Sequence, residues 1–161
     1  MSQLIRHPSL LVLILILALS ALPAAAQNAA KIAVEVWKDP SCGCCVDWVA
    51  HMEQNGFTVT VHETGNAAKR AELGMPENLG SCHTAQVEGY VIEGHVPAAD
   101  IHKLLAEKPD ALGLAVPNMP LGSPGMDGPV YEGRKQPYDV LLVSKNILSN
   151  DVSTQVFTHY P

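Results

Sequence analysis

Three of the four cysteines in this chain fall within four residues, Cys42-Gly43-Cys44-Cys45. No other segment constrains the fold as strongly. Before the run, Ile32-Ala33-Val34-Glu35-Val36-Trp37 alternates and is rich in β-branched residues, the pattern of a strand. Lys38-Asp39-Pro40-Ser41 is turn chemistry. After the run, Val46, Val49, Ala50 and Glu53 recur at helical spacing, so Val46 to Asn55 reads as a helix stopped by Gly56. The cysteines therefore sit where a strand hands over to a helix. Unpaired N–H groups and the helix dipole favour an anion there, and a thiolate forms more readily. A stabilised thiolate is both a nucleophile and a metal ligand.

The run contains a C-x-x-C (Cys42, Cys45), a C-x-C (Cys42, Cys44) and a vicinal pair (Cys44, Cys45). The C-x-x-C alone is the pattern of a dithiol redox motif. A third sulfur between the two invites mis-pairing in a redox enzyme but adds a ligand in a metal site. A structural disulfide with buried thiols is the plainer alternative. The fourth cysteine stands in Ser81-Cys82-His83-Thr84. If the loop before a central hairpin lies beside the C-x-x-C, Cys82 faces the triple-cysteine turn, with His83 next to it.

Soft sulfur ligands select Cu(I), Zn(II) or iron–sulfur clusters. Four cysteines, or three and a histidine, would satisfy zinc. Iron–sulfur clusters are rare in oxidising, exported settings. Met119 and Met126 lie in a Pro/Gly-rich loop, and thioether suits Cu(I) better than zinc. Packing against the domain surface is the alternative role for both. His51 is seven residues beyond Cys44, about 10 Å along a helix, too far to share one ion. His95, just ahead of a helix, reads as a residue that caps or positions it. His62, His102 and His159 show no cluster. Trp37 and Trp48 read as packing around the cysteine turn.

The remaining elements follow from pattern. Thr58 to Glu63 alternates as a second strand. Asn66 is a candidate N-cap for a short helix from Ala67 to Leu73, with Gly74 as its stop. Met75 to His83 has no period and reads as loop. Thr84 to Val87 and Tyr90 to Glu93 flank Glu88-Gly89 as a hairpin. Pro97 suits the start of a third helix, where Asp100 complements the positive end and Ile101, Leu104 and Leu105 form a buried stripe. From Gly113 to Pro137 five prolines and five glycines argue against regular structure. Tyr138 to Val143 and Val152 to Thr158 read as a closing pair of strands. The expected class is α/β: a thioredoxin-like sheet with flanking helices, a Pro/Gly-rich loop and a C-terminal strand extension.

The first 26 residues read differently. Arg6, the apolar stretch from Leu10 to Leu22 and Ala24-Ala25-Ala26 form a basic start, a core of about 13 apolar residues and a small-residue cleavage site. A spanning helix needs roughly 20 apolar residues. The expectation is a signal peptide over 1–26, cleaved after about Ala26, and one metal-binding domain over 27–161 in the periplasm. No cysteine at the cleavage site points to a lipoprotein, and no later segment could span a bilayer. The formal charge of −6 and 5% aromatic content argue against a nucleic-acid binder. Gly122-Ser123-Pro124-Gly125 lacks the spacing of a hydrolase nucleophile elbow.

The motifs together resemble a known family. Lys38-Asp39-Pro40-Ser41-Cys42-Gly43-Cys44-Cys45 with Trp48, His51 and Gly56-Phe57 is similar to the opening of the CopG-like proteins, small exported copper-resistance proteins. So are Ser81-Cys82-His83-Thr84-Ala85, the stretch from Gly89 to Ala98, Gly113 to Pro117, and Met119-Pro120 to Gly125-Met126. The resemblance spans roughly Ile32 to Val143. It implies a thioredoxin-like fold and copper at a cysteine-bridged site formed by Cys42, Cys44, Cys45 and Cys82, with His83, Met119 and Met126 as further candidates. Asn118 stands where the family pattern has glycine. The expected function is a periplasmic copper-binding protein of copper tolerance that holds Cu(I), as a multinuclear cluster or singly, with Cu(I)/Cu(II) redox activity a further step. Its partners would be copper ions and a periplasmic copper-handling or redox protein. The alternative is a periplasmic thiol–disulfide oxidoreductase in which Cys42 attacks and Cys45 resolves.

Overall fold

The structure is a computed structural model that describes residues 30–145 and 151–161. The leader expected over 1–26 lies outside the described residues. Along the chain run β1 (Ile32–Lys38), α1 (Gly43–Gln54), β2 (Phe57–His62), α2 (Ala67–Glu72), β3 (His83–Val87), β4 (Tyr90–Glu93), α3 (Ala98–Glu107), β5 (Gly113–Ala115), β6 (Tyr138–Lys145) and β7 (Val152–Tyr160). Single 3-10 turns occupy Glu77–Leu79 and Pro129–Tyr131. No helix among the described residues is long and apolar enough to cross a membrane.

The strands form one seven-stranded sheet in the order β2-β1-β3-β4-β5-β6-β7. β1 and β2 are parallel, and α1 is the crossover that a parallel pair needs. β3 runs antiparallel to β1 and pairs with β4 through the expected hairpin. Glu88 and Gly89 at its tip have φ of 45° and 90°, the left-handed conformation that two-residue hairpin turns need. β6 and β7 close the edge as an antiparallel pair.

Alternation along the strands sorts the core into two clusters on opposite faces. Ile92, Leu114 and Leu142 join Trp48 and Met52 of α1 and Ile101 and Leu104 of α3. Their chain neighbours Val91, Ala115 and Val143 pack instead with Leu79 and with Met75, which follows α2.

Four local expectations change. α1 begins at Gly43, not Val46, so Cys44 and Cys45 lie in its first turn. The buried stripe of α1 is Cys45, Trp48 and Met52, not the face that starts at Val46, which is 54% exposed. Pro97 is the N-cap of α3, with Ala98 the first helical residue. Asn66 stands at the N-cap of α2 but makes no capping bond; its Nδ2 donates to Ser81 O and Thr84 Oγ1 at 3.1 and 3.2 Å. Within the Pro/Gly-rich stretch, Gly113–Ala115 is a strand buried throughout. Three residues are too few to display a period. Asp100 is in the first turn of α3, and its carboxylate also accepts from Thr158 Oγ1 and Tyr160 OH, which ties β7 to the helix.

Candidate metal centre

The Asp39–Cys42 turn sets up the site. Ser41 donates from its backbone N–H and its hydroxyl to Asp39 Oδ1 at 2.9 and 2.6 Å. The hydroxyl first, then the amide, holds the Asp39 carboxyl below its usual range. Cys42 N–H donates to Asp39 O, and Cys42 takes the N-cap position in an extended conformation with no side-chain cap. No N-cap side-chain oxygen therefore takes up the first-turn N–H groups of α1.

Cys42 and Cys45 are joined in a disulfide, and Cys44 and Cys82 are free. The four sulfurs lie within 4.8 Å of one another. Cys44 Sγ is 3.6 Å from Cys42 Sγ and 3.8 Å from Cys82 Sγ, and Cys82 Sγ is 3.4 Å from Cys45 Sγ. The expected convergence of Cys82 on the triple-cysteine turn is thus present. The register makes it so: Lys38, the last residue of β1, pairs with His83, the first of β3. The residues flanking these strand ends must meet.

A second group, Cys82, His83 and His95, shares the Cys82 sulfur. His83 Nδ1 is 3.5 Å and His95 Nε2 is 2.9 Å from Cys82 Sγ. The His95 tautomer is fixed by its other nitrogen. Nδ1 is 2.8 Å from the carbonyl of Pro124, an acceptor only, so Nδ1 carries the proton. The Nε2 lone pair then faces the Cys82 thiol, which donates to it. Sequence reasoning gave His95 a helix-capping role and missed this placement. The signal was in the hairpin: Thr84 pairs with Glu93, so residues just before Thr84 lie beside residues just after Glu93.

Both imidazoles are buried. Burial, then the nearby His95, holds His83 well below the usual histidine range. Burial also lowers His95, against the opposing pull of its bond to Pro124. Neutral imidazole is the ligand form. His83 Nε2 is buried with no hydrogen-bond partner among the described residues, whereas buried polar atoms are nearly always paired. The His83 ring packs 4.4 Å from Trp48 and 4.9 Å from His95, and Trp48 Nε1 donates to Val96 O. Burial, followed by the neighbouring Cys44, pushes the Cys82 thiol up to about 12. Without a cation, Cys82 keeps its proton; a metal would displace it.

The other expected residues fall elsewhere. Met126 is buried, and its sulfur accepts from Tyr131 OH at 3.3 Å. Met119 is 47% exposed and shares with Cys82, Arg70 and Asn118 an open pocket of about 440 Å³. That pocket connects Cys82 to solvent. The Pro/Gly loop does close on the site: a Cβ on Gly125 would lie 2.5 Å from Cys44 O. His51 is outside the sulfur cluster, as its spacing required, and Nε2 accepts from Ala98 N–H at 3.1 Å. It thereby caps α3.

That capping role has a pH consequence. Burial lowers His51, as it does His83 and His95. A folded-state pKa below the unfolded value of about 6.5 gives stability that is complete above that value and is lost as pH falls below it. Buried Glu93, raised by desolvation, acts in the opposite sense, but it is one group against three. The metal-free protein is expected to show a lower urea midpoint at pH 5.5 than at pH 7.5. An equal or higher midpoint at pH 5.5 would refute this account.

Residues 79–126 match the family model described as a protein of unknown function, DUF411. That segment carries Cys82, His83 and His95. No curated protein matches the chain. Two solved structures are similar, those of copper resistance protein CopG in its Form 2 and Form 1. Form 2 is 45% identical with a TM-score of 0.71, over 81% of this chain and 99% of that one. Form 1 is 45% identical with a TM-score of 0.70, over 81% and 98%.

Proposed function

Because the chain belongs to the family of copper resistance protein CopG, we propose that it is an exported copper-binding protein of copper tolerance. Cys42, Cys44, Cys45 and Cys82 hold Cu(I) as bridging thiolates. The carrying observation is the convergence of four sulfurs within 4.8 Å. Soft thiolates select Cu(I) over harder cations. Each thiolate has several lone pairs, and ligands this crowded suit more than one small ion. The unpartnered nitrogen of His83 adds a buried donor of the right chemistry. Met119 and Met126 are candidates for shielding rather than for the sulfur cluster itself. The leader motif in 1–26 supports export to the periplasm, with 27–161 as the mature domain.

The order β1-α1-β2-α2-β3-β4-α3, with the sheet running β2-β1-β3-β4, supports reading the first part as thioredoxin-like, extended by β5, β6 and β7. In this layout two of the four sulfurs are already joined. Copper loading at all four requires an external dithiol to reduce the Cys42–Cys45 disulfide first, the dithiol leaving as its own disulfide and the two cysteines becoming thiols. Cu(I) then displaces protons from the thiols.

The disulfide itself favours a second reading, a thiol–disulfide oxidoreductase. Cys42 is partly exposed and Cys45 fully buried, as an attacking and a resolving cysteine would be. The Cys42 thiolate would attack a substrate disulfide and form a mixed disulfide. Cys45 would then attack Cys42 Sγ, and the substrate would leave as a dithiol, reduced by two electrons. One experiment separates the readings. The reduced protein is titrated with Cu(I) without oxygen, challenged with a moderate chelator, and assayed for metal and protein. Retained copper, lost in the Cys44→Ser, Cys82→Ser double variant, supports the copper site. No retained copper, with disulfide turnover intact in the double variant, supports the oxidoreductase. Preferential retention of zinc over copper would overturn the choice of ion.

A further inference from the structure

Behind Cys82 lies a polar cluster that the metal site does not use. Glu93 of β4 is fully buried. A buried carboxylate is costly unless charge-paired and hydrogen-bonded. Glu93 meets three donors from three parts of the chain. Ser81 N–H donates to Oε1 at 2.7 Å, Arg70 Nη1 lies 3.3 Å from the same oxygen, and Thr84 Oγ1 donates to Oε2 at 2.6 Å. The other polar groups of Ser81 are held as well. Its carbonyl accepts from Asn66 Nδ2 at 3.1 Å and Arg70 Nη1 at 3.4 Å, and its hydroxyl donates to Asn118 O. Ser81 is in no helix or strand, so no ladder fixes it. Side chains do.

We propose that Glu93 is the positioning residue that holds Cys82 at the sulfur cluster, acting through the Ser81 backbone. Ser81 immediately precedes Cys82, so whatever fixes its amide and carbonyl fixes the origin of the Cys82 side chain. The acid is required rather than the amide. All three partners are donors, and a carboxylate is acceptor-only. A glutamine of the same shape loses the charge that meets Arg70, and with its oxygen on Ser81 N–H its NH₂ takes the place of Oε2, so the Thr84 hydroxyl proton loses its acceptor. This role rests on the copper reading only for its consequence in metal binding; the placement of Cys82 is testable without metal.

The test uses the reduced, metal-free full chain and its Glu93→Gln and Thr84→Val variants. Each is alkylated with iodoacetamide under native conditions, and the rates at Cys82 and Cys44 are compared by peptide mass. In Glu93→Gln the Cys82 rate is expected to rise several-fold relative to Cys44 while the melt stays cooperative. Thr84→Val, which removes one donor to Glu93, shifts the ratio in the same direction by less. In parallel, Cu(I) retention by Glu93→Gln is expected to fall by about 10- to 100-fold, the usual effect of losing support behind a ligand, with an altered thiolate–Cu(I) absorption band. Unchanged Cys82-to-Cys44 ratios in both variants overturn the proposal. If Glu93→Gln does not fold, the ratio in Thr84→Val decides. If the wild type holds no Cu(I), the copper reading falls, and the alkylation ratio still judges Glu93.

Discussion

Cys82→Ser is expected to cost the reduced protein more copper than any other single cysteine substitution. Cys82 Sγ is the atom shared by both donor groups, the four sulfurs and the Cys82–His83–His95 set. It lies 3.4 Å from Cys45 Sγ, 3.8 Å from Cys44 Sγ and 2.9 Å from His95 Nε2. The other three cysteines come from one turn and can partly substitute for one another. Cys82 alone brings a sulfur from the opposite side, so its loss opens the cage. A serine oxygen is a hard, protonated donor and poor for Cu(I). Losing support behind a ligand already lowers affinity by about 10- to 100-fold, so losing the ligand should exceed that range. Anaerobic competition against a Cu(I) chelator measures it. Retention by Cys82→Ser equal to that of Cys42→Ser would show that the shared position is not the centre of the site.

Gly125→Ala is expected to destabilise the protein and disturb the site without touching a ligand. The new Cβ would lie 2.5 Å from Cys44 O and 2.9 Å from Trp48 N, both backbone of α1, and 3.3 Å from His95 Nδ1. Backbone cannot swing aside as a side chain can. Gly125 also has φ of 83°, where a Cβ costs roughly 1–2 kcal/mol. Overpacking adds about 1–3 kcal/mol. Either the loop lifts or the first turn of α1 moves. If the loop lifts, Pro124 O leaves His95 Nδ1 and the tautomer is no longer set. A loss near 3 kcal/mol corresponds to a melting temperature lower by roughly 10 °C. Nitrogen chemical shifts of His95 should report a mixed tautomer. An unchanged melt and a single tautomer would show that the loop does not bear on the site as its contacts indicate.

Most of the elements were legible because their patterns are local. β1 and β2 show alternation, α3 shows its Ile101–Leu104–Leu105 stripe, and Glu88-Gly89 marks a turn that only left-handed residues make. The strand Gly113–Ala115 was not legible, since a three-residue segment has no period. The true start of α1 was hidden because no capping side chain marks it and because its buried stripe runs through Cys45, Trp48 and Met52 rather than through Val46. For the site, the three clustered sulfurs were plain. His95 was not, because its relation to Cys82 is a matter of hairpin register. The role of Glu93 was hidden among ordinary strand residues, since its partners come from α2, the Ser81 loop and β3.

By itself the amino-acid sequence determined the chemistry: soft sulfur donors at a helix start, a neighbouring Cys-His pair, and a Pro/Gly loop with two thioethers. Residue types and short spacings carry that information, because they set donor softness and local backbone preference. Only the tertiary structure decided which donors share one small volume. The β1–β3 and β3–β4 registers bring Cys82, His83 and His95 to the first turn of α1, while Met126 turns to Tyr131. It also decided that Cys42 and Cys45 pair while Cys44 and Cys82 stay free. The meeting of Cys82 with Cys44 and Cys45 spans 38 and 37 residues, a separation that strand register specifies and local pattern does not.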